Sequence, residues 1–269
     1  MRILVPLDGS GLARPAIAAA KTVITRRGGQ IILLHAHWPG IPTDPADAVM
    51  EEEIQTLRRD GIDATAERRA TPRDEETGRV IADAARECGA DVIAMTTHGR
   101  GGMGRWLFGS VTEQVIRCAS TPIFLTPSML AMDWPAGREA MVLVALDGSE
   151  LAERSVAPAT ELARSIDAEI ILVRILPVGK HGDDTNARNL LAAQEYLDGV
   201  AAPVRAQDIN TRTLIRRGEP DQAITAIANE LQVAAISLGI RGADASTRAA
   251  LGSVAMGIIR RTDVPVLLA

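Results

Sequence analysis

Aromatic residues are nearly absent: two phenylalanines, one tyrosine and three tryptophans make up 2% of the 269 residues. A core without rings has to be built from Ala, Ile, Leu and Val, and a hydrophobic content of 46% supplies them. Cysteine occurs twice, as Cys88 and Cys118, with no close-spaced thiol pair, which argues against a disulfide framework and a cysteine-type zinc site. The expectation is two small buried hydrophobes in a reduced cytoplasm. Lysine also occurs only twice, as Lys21 and Lys180, so arginine carries the positive charge. That charge is not in excess. A net charge of -5 argues against a general nucleic-acid or anionic-membrane partner. No apolar run approaches the roughly 18 residues of a membrane span. The opening MRILVPLDGS starts a strand without the apolar stretch of a signal peptide, so the expected location is cytoplasmic. The pattern Gly-x4-Gly-Lys-Ser/Thr is missing, which excludes a P-loop NTPase. No histidine is joined by any motif to a Ser or Cys nucleophile, which argues against triad hydrolysis.

What is present occurs twice. MRILVPLDGS at 1–10 returns as MVLVALDGS at 141–149, and QIILLHAH at 30–37 as EIILVRIL at 169–176. ERRATP at 67–72 resembles IRRGEP at 215–220; FGSV at 108–111 returns as LGSV at 251–254, and TPIFLTP at 121–127 as VPVLLA at 264–269. The order is preserved, so the chain reads as two copies of one domain, 1–127 and 140–269, joined by a linker at 128–139 that holds Pro135 and Gly137.

Within the first copy, short apolar runs alternate with helical patterns. Strands are expected at 2–7, 30–37, 64–70, 91–96 and 122–126, and helices at 11–27, 47–60, 75–88 and 110–119. Val80, Ile81, Ala84, Ala85 and Cys88 share one helical face. Ile31-Ile32-Leu33-Leu34 is apolar on both faces, as in a strand covered by helices on each side. The fold class is therefore α/β, with two doubly wound, parallel, Rossmann-like or flavodoxin-like sheets. Such sheets bind ligands beyond the carboxyl ends of their strands.

A glycine loop stands at that end. THGRGGMGRWLFGSV, 97–111, holds Gly99, Gly101, Gly102, Gly104 and Gly109 between a strand and a helix. Bare backbone N–H groups beside a helix N-terminus make an anion site, and phosphate is the usual anion. Arg100 and Arg105 add charge. Ser110 can donate to an anion, while Ser110-x-x-Glu113 also reads as a capping box. The second copy has GIRGADASTRAALGSV at 239–254; nine residues separate Gly242 from Gly252, as they separate Gly99 from Gly109. Each first strand ends in Asp-Gly-Ser, at Asp8 and at Asp147. The carboxylates suit a base or sugar, whereas Ser10 and Ser149 suit helix N-caps.

These motifs together resemble a tandem member of the universal stress protein family, over nearly the whole chain. The signature of its nucleotide binders is Gly, two residues, Gly, nine residues, Gly, then Ser or Thr. Gly239, Gly242, Gly252 and Ser253 match it fully; Gly99, Gly109 and Ser110 match it with Thr96 in place of the first glycine. The string Thr97 to Arg100 is itself typical. The resemblance implies an adenine-nucleotide site in each copy. Asp8 and Asp147 would stand at the adenine end, and Ala36 and Ile175 would line the base pocket. The glycine loops with Ser110 and Ser253 would hold ribose and phosphates, and Val111 and Val254 would offer backbone N–H. It implies ATP with Mg²⁺ supplied on the nucleotide, and a regulatory module of the stress response with an unidentified protein partner. It further implies strand order 3-2-1-4-5 and an internal pseudo-dimer formed by the two edge strands, with further homodimerisation open. No residue is suited to position attacking water, so no catalytic residue is assigned and only weak ATP hydrolysis is open. The alternative is a nucleotide-free structural or chaperone-like protein with vestigial sites. Two departures bear on this: Thr96 crowds the first loop, and Asp244 sets a negative charge in the second, offset by Arg241 and Arg248.

Other features have plainer readings. His35 and His37 share a strand face as a potential metal pair, but the second copy has Arg174 and Leu176 there. Arg68-Arg69 and Arg216-Arg217 are expected to be solvated strand ends, and Glu51-Glu52-Glu53 a solvated helix face. Trp38, Trp106 and Trp134 fall in loops or linker, where packing contacts are expected.

Overall fold

The computed structural model describes residues 1–39, 44–72, 76–97, 109–130, 134–135, 139–178, 183–240 and 251–269, with Asp44 and 183–186 followed in backbone only. The chain divides into two compact units, Met1–Trp134 and Pro135–Ala269. None of the described helices is long and apolar enough to cross a membrane.

In the first unit β1 (Arg2–Leu7), α1 (Arg14–Arg27), β2 (Gln30–His37), α2 (Asp44–Arg59), β3 (Asp63–Ala70), α3 (Thr77–Glu87), β4 (Val92–Thr97), α4 (Ser110–Cys118) and β5 (Ile123–Pro127) alternate. All pairings are parallel and the order is β3-β2-β1-β4-β5. Leu7 faces His35 and Ile93 faces Ile123 in register. Ile31, Leu33 and Leu34 are fully buried and Ile32 nearly so, as a strand sandwiched between two helical layers requires. The expected helix 11–27 is split. A 3₁₀ turn, Gly11–Ala13, is capped by Ser10, and α1 starts at Arg14 with Pro15 in its first turn, where the missing N–H has no partner to lose. β1 and β2 fall at their expected bounds, and the remaining elements differ by up to three residues at an end, as fraying ends do.

The second unit repeats the plan with β6 (Met141–Ala145), α5 (Glu150–Glu153), α6 (Val156–Ile166), β7 (Glu169–Leu176), α7 (Asp183–Arg205), β8 (Thr211–Arg217), α8 (Pro220–Leu231), β9 (Ala235–Leu238), α9 (Ser253–Arg261) and β10 (Val266–Leu268). Its parallel order is β8-β7-β6-β9-β10. In both units the order turns back at the first strand, so the crevice lies beside the carboxyl ends of β1 and β4, and of β6 and β9.

Matching details show how closely the copies agree. Arg58 Nε donates to the Ala64 carbonyl at 3.0 Å, and Arg205 Nε to that of Thr211 at 3.1 Å. Gly61 and Asp208 make the same turn, φ 79° and 59°, each donating to the carbonyl three residues back; Gly28 and Asp167 stand at matching places with φ 76° and 56° but differ in ψ, 159° against 50°.

Candidate functional site

The Asp-Gly-Ser turn has one geometry in both units. Asp8 Oδ1 accepts from the Ser10 N–H at 2.9 Å and from Ser10 Oγ at 2.6 Å, and Ser10 Oγ accepts from the Leu12 N–H at 3.3 Å. Asp147 Oδ1 accepts from the Ser149 N–H and Oγ at 2.9 and 2.6 Å, and Ser149 Oγ accepts from the Ala152 N–H at 3.2 Å. The serines therefore cap, as expected. Both aspartates stand exposed at the carboxyl ends of β1 and β6, with one oxygen of each engaged in its turn and Oδ2 not used by it. Gly9 needs its positive φ of 79°, and a Cβ there would lie 2.8 Å from Ala46 Cβ on α2.

Residues 98–108 and 241–250 lie outside the described residues, and with them Gly99, Arg100, Arg105, Trp106, Arg241, Gly242, Asp244 and Arg248. Their flanks are described. Thr96 lies in β4, its Oγ1 3.4 Å from Thr126 Oγ1 on β5. Gly239 follows β9 and is half-buried. Gly252 donates its N–H to the Ile240 carbonyl at 2.9 Å, and Ile240 donates to the Ala269 carbonyl at 2.9 Å, which closes the neck of the second loop.

The capping-box expectation for Ser110 is corrected. Gly109 is the N-cap of α4, at φ -54° and ψ 144°, and Ser110 is its first helical residue; no side chain caps this end. A serine inside the first turn cannot reach back over the N–H groups as an N-cap does. The first intrahelical bond runs from the Glu113 N–H to the Gly109 carbonyl at 3.1 Å, so the N–H groups of Ser110, Val111 and Thr112 have no intrahelical acceptor. The second unit repeats this: Gly252 is the N-cap of α9, Met256 donates to it at 2.9 Å, and Ser253, Val254 and Ala255 precede that bond. Ser110 and Ser253 are both exposed. Each helix thus presents N–H groups, a hydroxyl and the positive end of its dipole at the end of the sheet that carries the aspartate.

At the second strands, Ala36 and Ile175 are half-buried and next to last in β2 and β7. Their neighbours differ between units. His35 is buried, with Nδ1 3.2 Å from Asp47 Oδ1, and Arg68 Nε donates to the same oxygen at 3.1 Å. His37 lies beside it, ring centroids 5.8 Å apart. Among the described residues no three His, Cys, Asp or Glu side chains could hold a metal. In β7 the matching residue is Arg174. Its guanidinium crowds Gly148 and lies over the Tyr196 ring of α7, 5.0 Å from the centroid. Burial first, then the Glu153 carboxylate, hold the Tyr196 phenol well above its ordinary pKa. Its oxygen is closed off from water without a hydrogen bond of good geometry. Arg68, Arg216 and Arg217 are exposed at their strand ends, as expected, and surface ion pairs join Arg69 to Glu67 at 2.9 Å and Glu87 at 3.0 Å, and Arg216 to Glu230 at 2.9 Å. Trp134 packs on Phe124, centroids 5.6 Å apart, whereas Trp38 is partly exposed. Sequence reasoning met Arg174 only as the counterpart of His35 and passed over Tyr196. The available signal was that the one tyrosine of the chain falls on a helix whose counterpart has Val49.

Comparison with known proteins matches the Universal stress protein family twice, over residues 1–127 and 141–269. A universal stress protein of Mycobacterium tuberculosis is 28% identical over 195 residues, 67% of this chain and 62% of that protein. The chain therefore spans about three fifths of the length of such curated relatives. One from Mycolicibacterium smegmatis is 22% identical over 99% of this chain and 96% of its own. Among solved structures, a universal stress protein from Archaeoglobus fulgidus has a TM-score of 0.73 at 23% identity, covering 100% of this chain and 97% of that one. A structure from Pseudomonas aeruginosa has a TM-score of 0.74 at 16% identity over 99% and 92%.

Proposed function

Because the chain belongs to the universal stress protein family, we propose that it is an adenine-nucleotide-binding regulatory module of the cytoplasm, taking ATP at the carboxyl ends of the strands in each unit. The observation that carries this reading is the repeated helix start. In both units a glycine N-cap is followed by an exposed serine that caps nothing, on the same sheet end as an exposed aspartate. The phosphates lie at the N–H groups of Val111 and Val254 with Ser110 and Ser253; Asp8 and Asp147, through Oδ2, with Ala36 and Ile175, serve the base end. Gly99, Arg100, Gly239 and Gly242 belong to this reading through their place in the loops, and Thr96 borders the first. Mg²⁺ enters on the nucleotide, since this ion keeps several waters and binds through phosphates. No dedicated catalysis is assigned. Pairing of the two copies as a pseudo-dimer is part of the same reading.

One observation favours the alternative, a nucleotide-free interaction protein: the carboxylates of Asp8 and Asp147 already serve their own turns. Titration calorimetry of nucleotide-free protein with MgATP separates the two. Two unequal sites are expected. Ligand at about 100 times its dissociation constant should stabilise the fold by about 2.7 kcal/mol. Gly109→Val, at a φ of -54° that valine adopts, should remove the first site and spare the fold; Gly252→Val should remove the second. Absence of both heat and thermal protection refutes the proposal.

A further inference from the structure

Among the described tryptophan and phenylalanine residues of the first unit, Phe124 and Trp134 are buried against each other, whereas Trp38 is 38% exposed. Its place is set by β2, which it directly follows. The Thr71 N–H donates to the His37 carbonyl at 2.8 Å, so the chain stays extended up to Trp38. His35 and His37 share one face of that strand, their ring centroids 5.8 Å apart, and His35 packs on Asp47 of α2. Alternation then sends Ala36 and Trp38 to the opposite face. Leu7 is paired with His35. Asp8 and Ala36 come next, side by side on neighbouring strands about 5 Å apart.

Asp8, Ala36 and Trp38 outline a slot for a flat ring. Trp38 stands two residues beyond Ala36 on the same face, a rise of about 7 Å. Atoms in contact sit about 3.5 Å apart, so a planar base between the Ala36 methyl and the indole touches both. Its edge then faces Asp8, whose Oδ2 the turn leaves unused. The second unit keeps the register and lacks the slot. Ala145 is paired with Val173, which sets Asp147 beside Ile175 in the same way. There the floor is a half-buried isoleucine, and two residues beyond it stands Pro177, which has no aromatic face.

We propose that Trp38 stacks on the nucleobase in the first unit, with Ala36 as the floor and Asp8 at the edge, and makes that site selective for purines. The second site, without an aromatic platform, discriminates less between bases. The assignment rests on the adenine-nucleotide reading of the first unit. A base is the fitting occupant because the indole is exposed at the ligand end of the sheet and has no ring contact among the described residues. Every base has a face that stacks on an aromatic side chain, and a purine offers the indole two fused rings where a pyrimidine offers one.

Full-length protein labelled with 5-fluorotryptophan gives one fluorine resonance for each of its three tryptophans, and the one lost in Trp38→Phe is thereby assigned. MgATP should shift it. Magnesium tripolyphosphate, which has the phosphates and no base, should not. The shift should persist in Gly252→Val and vanish in Gly109→Val. By calorimetry, Trp38→Ala should weaken MgATP in the first unit about fivefold or more, reduce its preference for MgATP over MgCTP, and leave tripolyphosphate affinity as it was; Trp38→Phe, which keeps a ring, should restore most of the loss. A Trp38 resonance unmoved while MgATP binds the first unit, an equal shift with tripolyphosphate, or unchanged MgATP affinity in Trp38→Ala overturns the stacking role and leaves nucleotide binding standing. Absence of any MgATP heat in Gly252→Val, where only the first site remains, overturns the stacking role together with the reading it rests on.

Discussion

Gly78→Ala is expected to loosen α3 from α4, and the cost can be worked from the contact. A Cβ on Gly78 would crowd Gln114 Cβ and lie 2.7 Å from the Val115 nitrogen and 2.8 Å from the Gln114 carbonyl carbon. Two of these are backbone atoms and cannot rotate away. Ordinary contact begins about 3.5 Å apart, so α4 must retreat by more than about 0.8 Å, since Gln114 Cβ lies nearer still than the Val115 nitrogen. The bond from the Gly78 N–H to Gln114 Oε1, 2.8 Å, is strained by the same movement. Overpacking of this kind costs about 1–3 kcal/mol, and alanine's helix propensity returns part of it. A net loss near 2 kcal/mol lowers the melting temperature by about 8 °C for a unit of this size. Because α4 carries Ser110 and Val111, the proposed nucleotide site of the first unit should weaken with it.

The second unit shows the way to test the cause rather than the effect. At the spacing that carries Gly109 to Gly252, Gly78 becomes Asp221 and Gln114 becomes Gly257: the small and the polar residue have changed helices. A Cβ on Gly257 would lie 2.7 Å from Asp221 Cβ, and Asp221 is held by Arg261 Nε at 3.0 Å. Gly78→Asp with Gln114→Gly transplants that solution, and the double variant should be more stable than the sum of its singles by about 1 kcal/mol or more. Urea unfolding of the four proteins decides. A Gly78→Ala variant within about 0.5 kcal/mol of the parent, or strict additivity in the cycle, refutes the reasoning.

Two further outcomes follow from named groups. The Tyr196 phenol is held protonated by the fold, so its contribution is present below the ordinary phenol pKa of about 10 and is lost as pH rises beyond it. Absorbance should show this single tyrosine ionising only together with alkaline unfolding. Tyr196→Phe, which removes an oxygen without a good hydrogen bond and keeps a ring under Arg174, should cost no stability and should remove that alkaline sensitivity. Asp167→Gly and Asp208→Gly should each stabilise by about 0.5–1 kcal/mol, since both residues sit exposed at positive φ where the first unit has Gly28 and Gly61; a measured loss in urea unfolding would assign their side chains a contact.

The sheet was legible because its signals are local. Unbroken runs such as Ile31 to Leu34, and Asp-Gly-Ser at two strand ends, need no partner to be read. The helix start at Ser110 was legible but its cap was misread, because Ser-x-x-Glu satisfies the capping pattern one residue late; only the backbone angles of Gly109 decide who caps. The expected helix 11–27 ran through the 3₁₀ turn at Gly11–Ala13, because helical periodicity does not mark where the hydrogen-bond spacing changes. Arg69 and Glu87, or Asp221 and Arg261, are brought together by the packing of separate elements, so no periodicity foretells them. The same holds for Arg174, Tyr196 and Glu153, which come from a strand and two helices.

The duplication turns such pairs into an internal comparison, and the comparison separates two kinds of position. The Asp-Gly-Ser turn, the glycine N-cap with serine behind it, and the arginine clamps of Arg58 and Arg205 keep one geometry in both units. They lie at the ligand end or hold the third strand. The surroundings of the second strand do not keep it. His35, Asp47 and Arg68 form a connected polar group in the first unit. The matching Arg174, Gln194 and Ile215 cannot, because Gln194 has no charge and turns instead to Thr213 and Asp198. An arginine left without its carboxylate has to be held by something else, and Tyr196, absent from the first unit, supplies a ring. The ion pair of Arg14 with Glu53 in the first unit gives way to Glu153 and Val200 in the second, on the other flank of the same helix. Under the proposed function, two copies that agree at the carboxyl ends of their strands but differ in charge along α2 and α7 would take the same small molecule and present different surfaces beside it.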